Sequence, residues 1–292
     1  MKFKKRYFFI LLVIGTYFLW GKFSSPYGDQ VVSYHPASKE CFQEEKFKYC
    51  VYKSEQGVNG NIAYYLHGRN LDESTWNDET FYTSMVQKYW QENKLIPPTV
   101  VAISYGPIWL LSPKNAKEES GLLEHFLNKA LPFIESKVGT PKERILFGES
   151  MGGLNSLIAM FHSGVLFSKV ASLCPGVYNI SPFSSLSEMK TVVTRTGADP
   201  KIVYGILELS KKFISTEDDW DKISPLRLVE HASALKSKLY LSCGLYDQYG
   251  NYEGNELLSQ KMILKGFSVE WHPLYGGHCA IDVSSLAEFL AY

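Results

Sequence analysis

Residues 144–153, Arg-Ile-Leu-Phe-Gly-Glu-Ser-Met-Gly-Gly (RILFGESMGG), decide how the rest of the chain is read. Arg144 to Phe147 is an apolar run of strand type, and Met151 to His162 has the length and composition of a helix. Gly148-Glu149-Ser150-Met151-Gly152 therefore stands on a strand-to-helix turn, where a G-x-S-x-G pattern suits a nucleophilic serine. On so sharp a turn, side chains two positions before and after the serine would collide with neighbouring backbone, so both positions are glycine. The helix that follows aims free N–H groups and the positive end of its dipole at the serine. Alone, the five-residue pattern arises by chance in about one chain in ten of this length. Strand before and helix after make it specific.

Outward from this turn, strands and helices alternate, the pattern of a largely parallel sheet covered on both faces. Phe47 to Lys53 and Asn61 to Leu66 read as strands separated by a turn at Gln56, Gly57 and Gly60, and Thr99 to Ser104 (TVVAIS) as a buried central strand. Glu118 to Val138 carries Leu123, Phe126, Leu127, Ala130 and Ile134 at helical spacing, with Pro132 predicting a kink or a division into two helices. Lys169 to Cys174, Lys238 to Cys243 and Ser268 to His272 are further strands, with a helix predicted over Glu256 to Lys265. Residues 178–235 break the rhythm and read as a small cap inserted over the site.

A serine hydroxyl needs a base to become nucleophilic, and on this architecture the base comes late, on the loop after the last strand. His278 fits, because Gly276 and Gly277 before it allow the backbone to turn tightly. The acid that orients the histidine is expected between serine and histidine, at the end of a strand. Asp247 follows the run KLYLSCG and is favoured, with Asp219, Asp221 and Glu253 as competitors. Two backbone N–H groups must face the developing negative charge, each worth about 3 kcal/mol. Met151 supplies one by position. Arg69, in Leu66-His67-Gly68-Arg69 at the end of an early strand, is the expected second, with His67 bracing that loop.

The chain has 292 residues, enough for one catalytic domain (46–292) preceded by a linker (26–45) and an N-terminal segment (1–25). Hydrophobic residues make up 45% and charged residues 21%, which excludes wholesale disorder and a polytopic membrane protein. Thirty basic residues balance thirty acidic ones without a basic stripe beyond Arg6, so no nucleic-acid partner is expected. Lys2, Lys4, Lys5 and Arg6 precede the apolar run Tyr7 to Trp20, which is short for a membrane span and reads as an export signal. Whether it is removed or kept as an anchor is open. Either way the catalytic domain is expected outside the cytoplasm: periplasmic, secreted, or associated with the membrane through its N-terminus. Cys41 and Cys50 flank a segment that a hairpin could close, leaving a disulfide there open. Cys174, Cys243 and Cys279 read as buried thiols, and no cysteine has metal-ligand spacing.

Five pieces of the chain, LHGRNLDESTW (66–76), PPTVVAIS (97–104), LPFIESKVGTPKERILFGESMGG (131–153), SPLRLVEHASALKSKLYLSCGLYDQYG (224–250) and YGGHCAID (275–282), resemble the esterase D-like branch of the α/β-hydrolases. That branch includes S-formylglutathione hydrolases, feruloyl and other carbohydrate esterases, siderophore esterases and mycolyltransferases. The resemblance implies an α/β-hydrolase fold, with Ser150, Asp247 and His278 as catalytic residues and the N–H groups of Arg69 and Met151 as oxyanion hole. The expected activity is that of a serine esterase acting on a small-molecule or envelope ester, with no metal or organic cofactor required. An acyltransferase using the same residues is the alternative. A non-catalytic binding protein of the same fold would usually lack one of the three residues, and here all three positions are filled. Trp76, Tyr105, Trp109 and Tyr249 fall on loops where ligands bind in such sheets, and read equally as substrate-facing aromatics or as loop packing.

Overall fold

Continuous apolar runs bounded by glycine, proline and polar turns build the centre of the protein. The computed structural model describes residues 32–106, 121–233 and 235–292; the basic start and apolar run of residues 1–25 lie outside them. Among the described residues eight strands form one sheet. They are β1 (Ser38–Gln43), β2 (Lys48–Lys53), β3 (Ile62–Leu66), β4 (Thr99–Ser104), β5 (Arg144–Glu149), β6 (Lys169–Leu173), β7 (Lys238–Gly244) and β8 (Val269–Leu274). Their spatial order is β1-β2-β4-β3-β5-β6-β7-β8. β2 pairs antiparallel with both β1 and β4, and every other pairing is parallel.

Strands buried on both faces carry apolar side chains without alternation, and β3 and β4 are buried at every position. Alternate residues still serve opposite faces. Tyr64 and Leu66 join the larger core, against helix Met151–Ser163 and the long helical segment before β5. Ala63 and Tyr65 join a smaller core against helices Tyr82–Glu92 and Val283–Ala291. Arg144 at the start of β5 holds Glu135 in a two-pronged ion pair at 2.6 and 2.8 Å, and Tyr64 donates its hydroxyl to the same carboxylate at 2.7 Å. This fixes helix Leu131–Val138 against the sheet.

The break expected at Pro132 lies one turn earlier. Leu122–His125 is α-helical, Phe126–Ala130 forms a π-helical turn, and the α-helix resumes over Leu131–Val138. Proline lacks an N–H and crowds the preceding turn, so the chain widens ahead of it rather than bending at it.

Two boundaries differ from the sequence reading. Ser38–Gln43, within the segment read as linker, is an edge strand exposed along its length. Its polar sequence gives no strand signal; its order comes from pairing with β2 and from the Cys41–Cys50 disulfide, which joins directly opposed residues. The helix read as starting at Glu256 runs from Asn251 to Leu264. Its first turn presents Asn251, Gly254 and Asn255 to the interior, where a Cβ on Gly254 would lie 1.9 Å from the Val177 carbonyl oxygen.

Residues 178–235, which break the rhythm of the sequence, lie between β6 and β7, and the described ones make helices Leu186–Thr196, Pro200–Ser210, Glu217–Asp221 and Pro225–His231. Ser185 and Thr216 each exchange hydrogen bonds with an acid three residues on, and Asp199 caps a helix that begins with Pro200. Among the described residues no helix is long and apolar enough to cross a membrane.

Candidate active site

The carboxyl ends of the parallel strands bring the sequence-predicted residues together. At the end of β5 the chain turns through Ser150 at φ 52°, ψ −111° into helix Met151–Ser163. A non-glycine residue at positive φ is held only where its surroundings over-determine it. Here the Ser150 N–H donates to the Leu173 carbonyl at the end of β6 at 2.8 Å. A Cβ on Gly148 would stand 2.3 Å from the Leu66 carbonyl oxygen, and one on Gly152 only 1.8 Å from it. Both glycines are therefore required by the close approach of β3 to the turn.

Asp247 and His278 reach this serine from the loops that follow β7 and β8. The loop after β8 places His278 Nε2 2.9 Å from Ser150 Oγ, and Nδ1 2.9 Å from Asp247 Oδ2. The Asp247 side chain is fully shielded from solvent and that of His278 is 14% exposed. The other Asp247 oxygen accepts the Tyr249 N–H at 2.8 Å, and Gln248 Oε1 accepts the His278 N–H at 3.1 Å. The acid and histidine loops are thus cross-braced, and charge on Asp247 faces a histidine rather than water. The competing acids are engaged elsewhere: Asp219 caps helix Glu217–Asp221, Asp221 pairs with Arg227, and Glu253 pairs with Arg195.

Arg69 and Met151 line a common cleft of about 460 Å³, as bounded by the described residues, together with His67, Ser104 and Tyr105. His67 is buried, its Nε2 2.8 Å from Ser104 Oγ and its Nδ1 2.8 Å from the Gly68 carbonyl. Burial lowers its pKa, which favours the neutral ring that braces the loop, as the sequence suggested.

The aromatic residues divide. Tyr249 stacks on the His278 ring with centroids 4.0 Å apart. Tyr105 is half-buried at the cleft, its hydroxyl 2.9 Å from His125 Nδ1. Trp76 is corrected: it is 1% exposed in the smaller core, packed on Tyr65, Trp90 and Phe147. Its 3-10 turn folds back under the sheet, where burying a large indole outweighs presenting it on a loop. Trp109 lies outside the described residues.

Sequence reasoning missed two features. Glu149, the variable position before the serine, is completely buried. It accepts hydrogen bonds from the Gly68 N–H and from the hydroxyls of Tyr65 at 3.0 Å and Tyr82 at 2.9 Å. Burial raises its carboxyl to about 7, against the opposing pull of these donors. It ties the Gly68-Arg69 loop to the serine turn; an acid beside a nucleophile, at a position that points inward from a strand end, was the available signal. The second is a correction: Cys174 and Cys279, read as separate thiols, form a disulfide. Each follows a strand or loop end 105 residues from the other, so only the sheet brings them together. Cys243 alone among the described cysteines is free, and burial pushes its thiol pKa up.

A serine on a tight turn, a histidine and a buried acid at the carboxyl edge of a parallel sheet define the class of α/β-hydrolases. The model of the esterase family, described as "Putative esterase", matches residues 42–274, and the chain belongs to that family. It is an ester-hydrolysing enzyme, a serine hydrolase of the α/β fold. No curated protein matches it in sequence. Similar solved structures include an S-formylglutathione hydrolase from Agrobacterium tumefaciens, with 15% identity and TM-score 0.60 over 89% of this chain and 98% of that one. A ferulic acid esterase aligns with 18% identity and TM-score 0.57 over 88% and 97% of the two chains. Brefeldin A esterase, a bacterial homologue of human hormone-sensitive lipase, aligns with 15% identity and TM-score 0.61 over 91% and 81%. At these identities the likeness establishes the fold.

Proposed function

We propose that the enzyme hydrolyses a small-molecule carboxylic ester through an acyl-enzyme formed on Ser150. The observation that carries this reading is the unbroken hydrogen-bond chain from Ser150 Oγ through His278 to Asp247, 2.9 Å at each link. His278 Nε2 takes the hydroxyl proton as Ser150 attacks the ester carbonyl, while Asp247 holds the ring in the tautomer with its proton on Nδ1 and stabilises the imidazolium. The N–H groups of Arg69 and Met151 receive the oxyanion. His278 then returns the proton to the leaving alcohol, and a water activated by the same ring releases the acid. Charged residues of both signs around the cleft, Lys46, Lys48 and Arg69 with Glu44, Glu45, Asp72 and Glu73, support a substrate with polar groups beside the ester.

The test is a panel of short-chain nitrophenyl esters, a feruloyl ester and a glutathione thioester, each assayed with and without an added alcohol. Hydrolysis gives free acid as the main product throughout. A dominant ester of the added alcohol instead identifies an acyltransferase, and turnover of none of the panel contradicts the reading.

We also propose that the domain works outside the cytoplasm, with its N-terminus as signal or membrane anchor. The basic start before the apolar run Tyr7 to Trp20 supports this, as do two disulfides, which persist in oxidising compartments. Alkaline phosphatase fused to the C-terminus is expected to be active in intact bacterial cells; an inactive fusion retained in the cytosol refutes export.

A further inference from the structure

We propose that the Cys174–Cys279 disulfide is the positioning device for His278, so that the enzyme is fully active only while that bond is oxidised. The inference rests on the proposed role of His278 and adds a requirement to it.

Cys279 follows His278 directly, in a loop between β8 and helix Val283–Ala291 that also contains Gly276 and Gly277. Two adjacent glycines give this segment more conformational freedom than any other residue pair would. Its backbone hydrogen bonds with other segments, Tyr246 N–H to the Gly276 carbonyl at 2.9 Å and His278 N–H to Gln248 Oε1 at 3.1 Å, hold it to the acid loop. These bonds set the histidine against Asp247. They do not set it against the serine, which belongs to another strand.

The disulfide supplies that second reference point. Cys174 is the residue after β6, wholly buried, and its N–H donates to the Ser242 carbonyl of β7 at 2.7 Å. The residue before it, Leu173, accepts the Ser150 N–H. One strand end therefore holds the backbone of the nucleophile and, one residue later, the covalent tie to the histidine loop. Both sulfurs and a ring nitrogen of His278 lie within 4.8 Å of one another. The backbone is bent to allow it: Cys174 has φ 44° and Cys279 φ 56°, in the left-handed region that disfavours residues with a Cβ. Cys41–Cys50, in contrast, joins β1 to β2 at the opposite edge of the sheet from β7 and β8, which makes it an internal control.

Cys279 is partly exposed, so a dithiol has access to the bond. Dithiothreitol supplies two electrons and two protons, the S–S bond breaks to leave Cys174 and Cys279 as thiols, and the reagent becomes its cyclic disulfide. Freed from β6, the histidine loop keeps its contact with Asp247 but loses its fixed distance to Ser150 Oγ.

The experiment compares the full chain with the double variants Cys174→Ser/Cys279→Ser and Cys41→Ser/Cys50→Ser on a nitrophenyl ester, with circular dichroism recorded for each. The first variant is expected to lose at least tenfold in kcat with KM changed less than twofold, and to react at least tenfold more slowly with a fluorophosphonate. The second is expected to stay within twofold of the parent. Should the first variant fail to fold, dithiothreitol is titrated into the Cys41→Ser/Cys50→Ser chain. There kcat should fall in step with the appearance of two new thiols, at unchanged circular dichroism, and return on reoxidation. A folded Cys174→Ser/Cys279→Ser chain, or a fully reduced one, with kcat within twofold of the oxidised protein overturns the inference and leaves the acyl-enzyme reading standing. An equal loss in both double variants also overturns it, by showing a general effect on stability. An oxidised parent that neither turns over nor labels overturns the acyl-enzyme reading and the inference with it.

Discussion

Replacing Ser150 by alanine is expected to remove ester hydrolysis, with a fall in kcat on the order of 10⁶ by analogy with a serine hydrolase in which the nucleophile was deleted. The change takes away one oxygen at a half-buried site and leaves the turn as it was. The bond that seats the turn comes from the backbone N–H to the Leu173 carbonyl, and both flanking glycines are unaffected. Alanine at the observed φ of 52° meets the same steric cost that serine already bears. The fold and thermal midpoint should therefore change little while turnover vanishes. A variant that keeps more than about a thousandth of the parent kcat, far above what the remaining site supplies, would require a different nucleophile.

The second large effect belongs to Asp247→Asn. The carboxylate accepts the Nδ1 proton of His278 at 2.9 Å in a site closed to solvent. An asparagine of the same shape can turn its amide N–H₂ toward Nδ1, which moves the ring proton to Nε2, where the ring can no longer accept from Ser150. It also removes the charge that stabilises the imidazolium. The equivalent change in a related triad costs about 10⁴ in turnover. The loss should fall on kcat, since Asp247 meets the histidine and not the cleft. Asp219→Asn and Asp221→Asn are the matched comparisons. Asp219 accepts backbone N–H groups at the start of helix Glu217–Asp221, and Asp221 lies 3.3 Å from Arg227 with both side chains exposed. Each should alter kcat by less than tenfold, or about 1.4 kcal/mol. A mild Asp247→Asn with a severe substitution at Asp219 or Asp221 would move the acid into the segment between β6 and β7.

What could be read from the sequence follows from how local each signal was. β3, β4, β5, β6 and β7 were legible because strands buried on both faces are written as uninterrupted apolar runs. β1 was not, since Ser38–Gln43 is exposed on both sides and owes its order to a partner strand and a disulfide. The start of helix Asn251–Leu264 was hidden because the residues its first turn buries, Asn251, Gly254 and Asn255, are not apolar, so periodicity carried no signal there. That Ser150, Asp247 and His278 would lie together was legible because the turn motif and the chain order are constraints along the sequence. Trp76 was misassigned and Cys174–Cys279 missed for the opposite reason. Where an indole points and which two sulfurs meet are decided by the packed sheet, across separations that no local pattern spans.

The central claim is that Ser150 carries the acyl group. Acid quenching of the enzyme within the first turnovers of a nitrophenyl butyrate, followed by mass spectrometry of the proteolysed chain, tests it most directly. One butyryl group per chain is expected, located on the peptide containing Gly148-Glu149-Ser150-Met151-Gly152 and absent from Ser150→Ala. An acyl group on any other residue, or ester turnover with no acylated peptide under conditions where its formation outpaces hydrolysis, would contradict it.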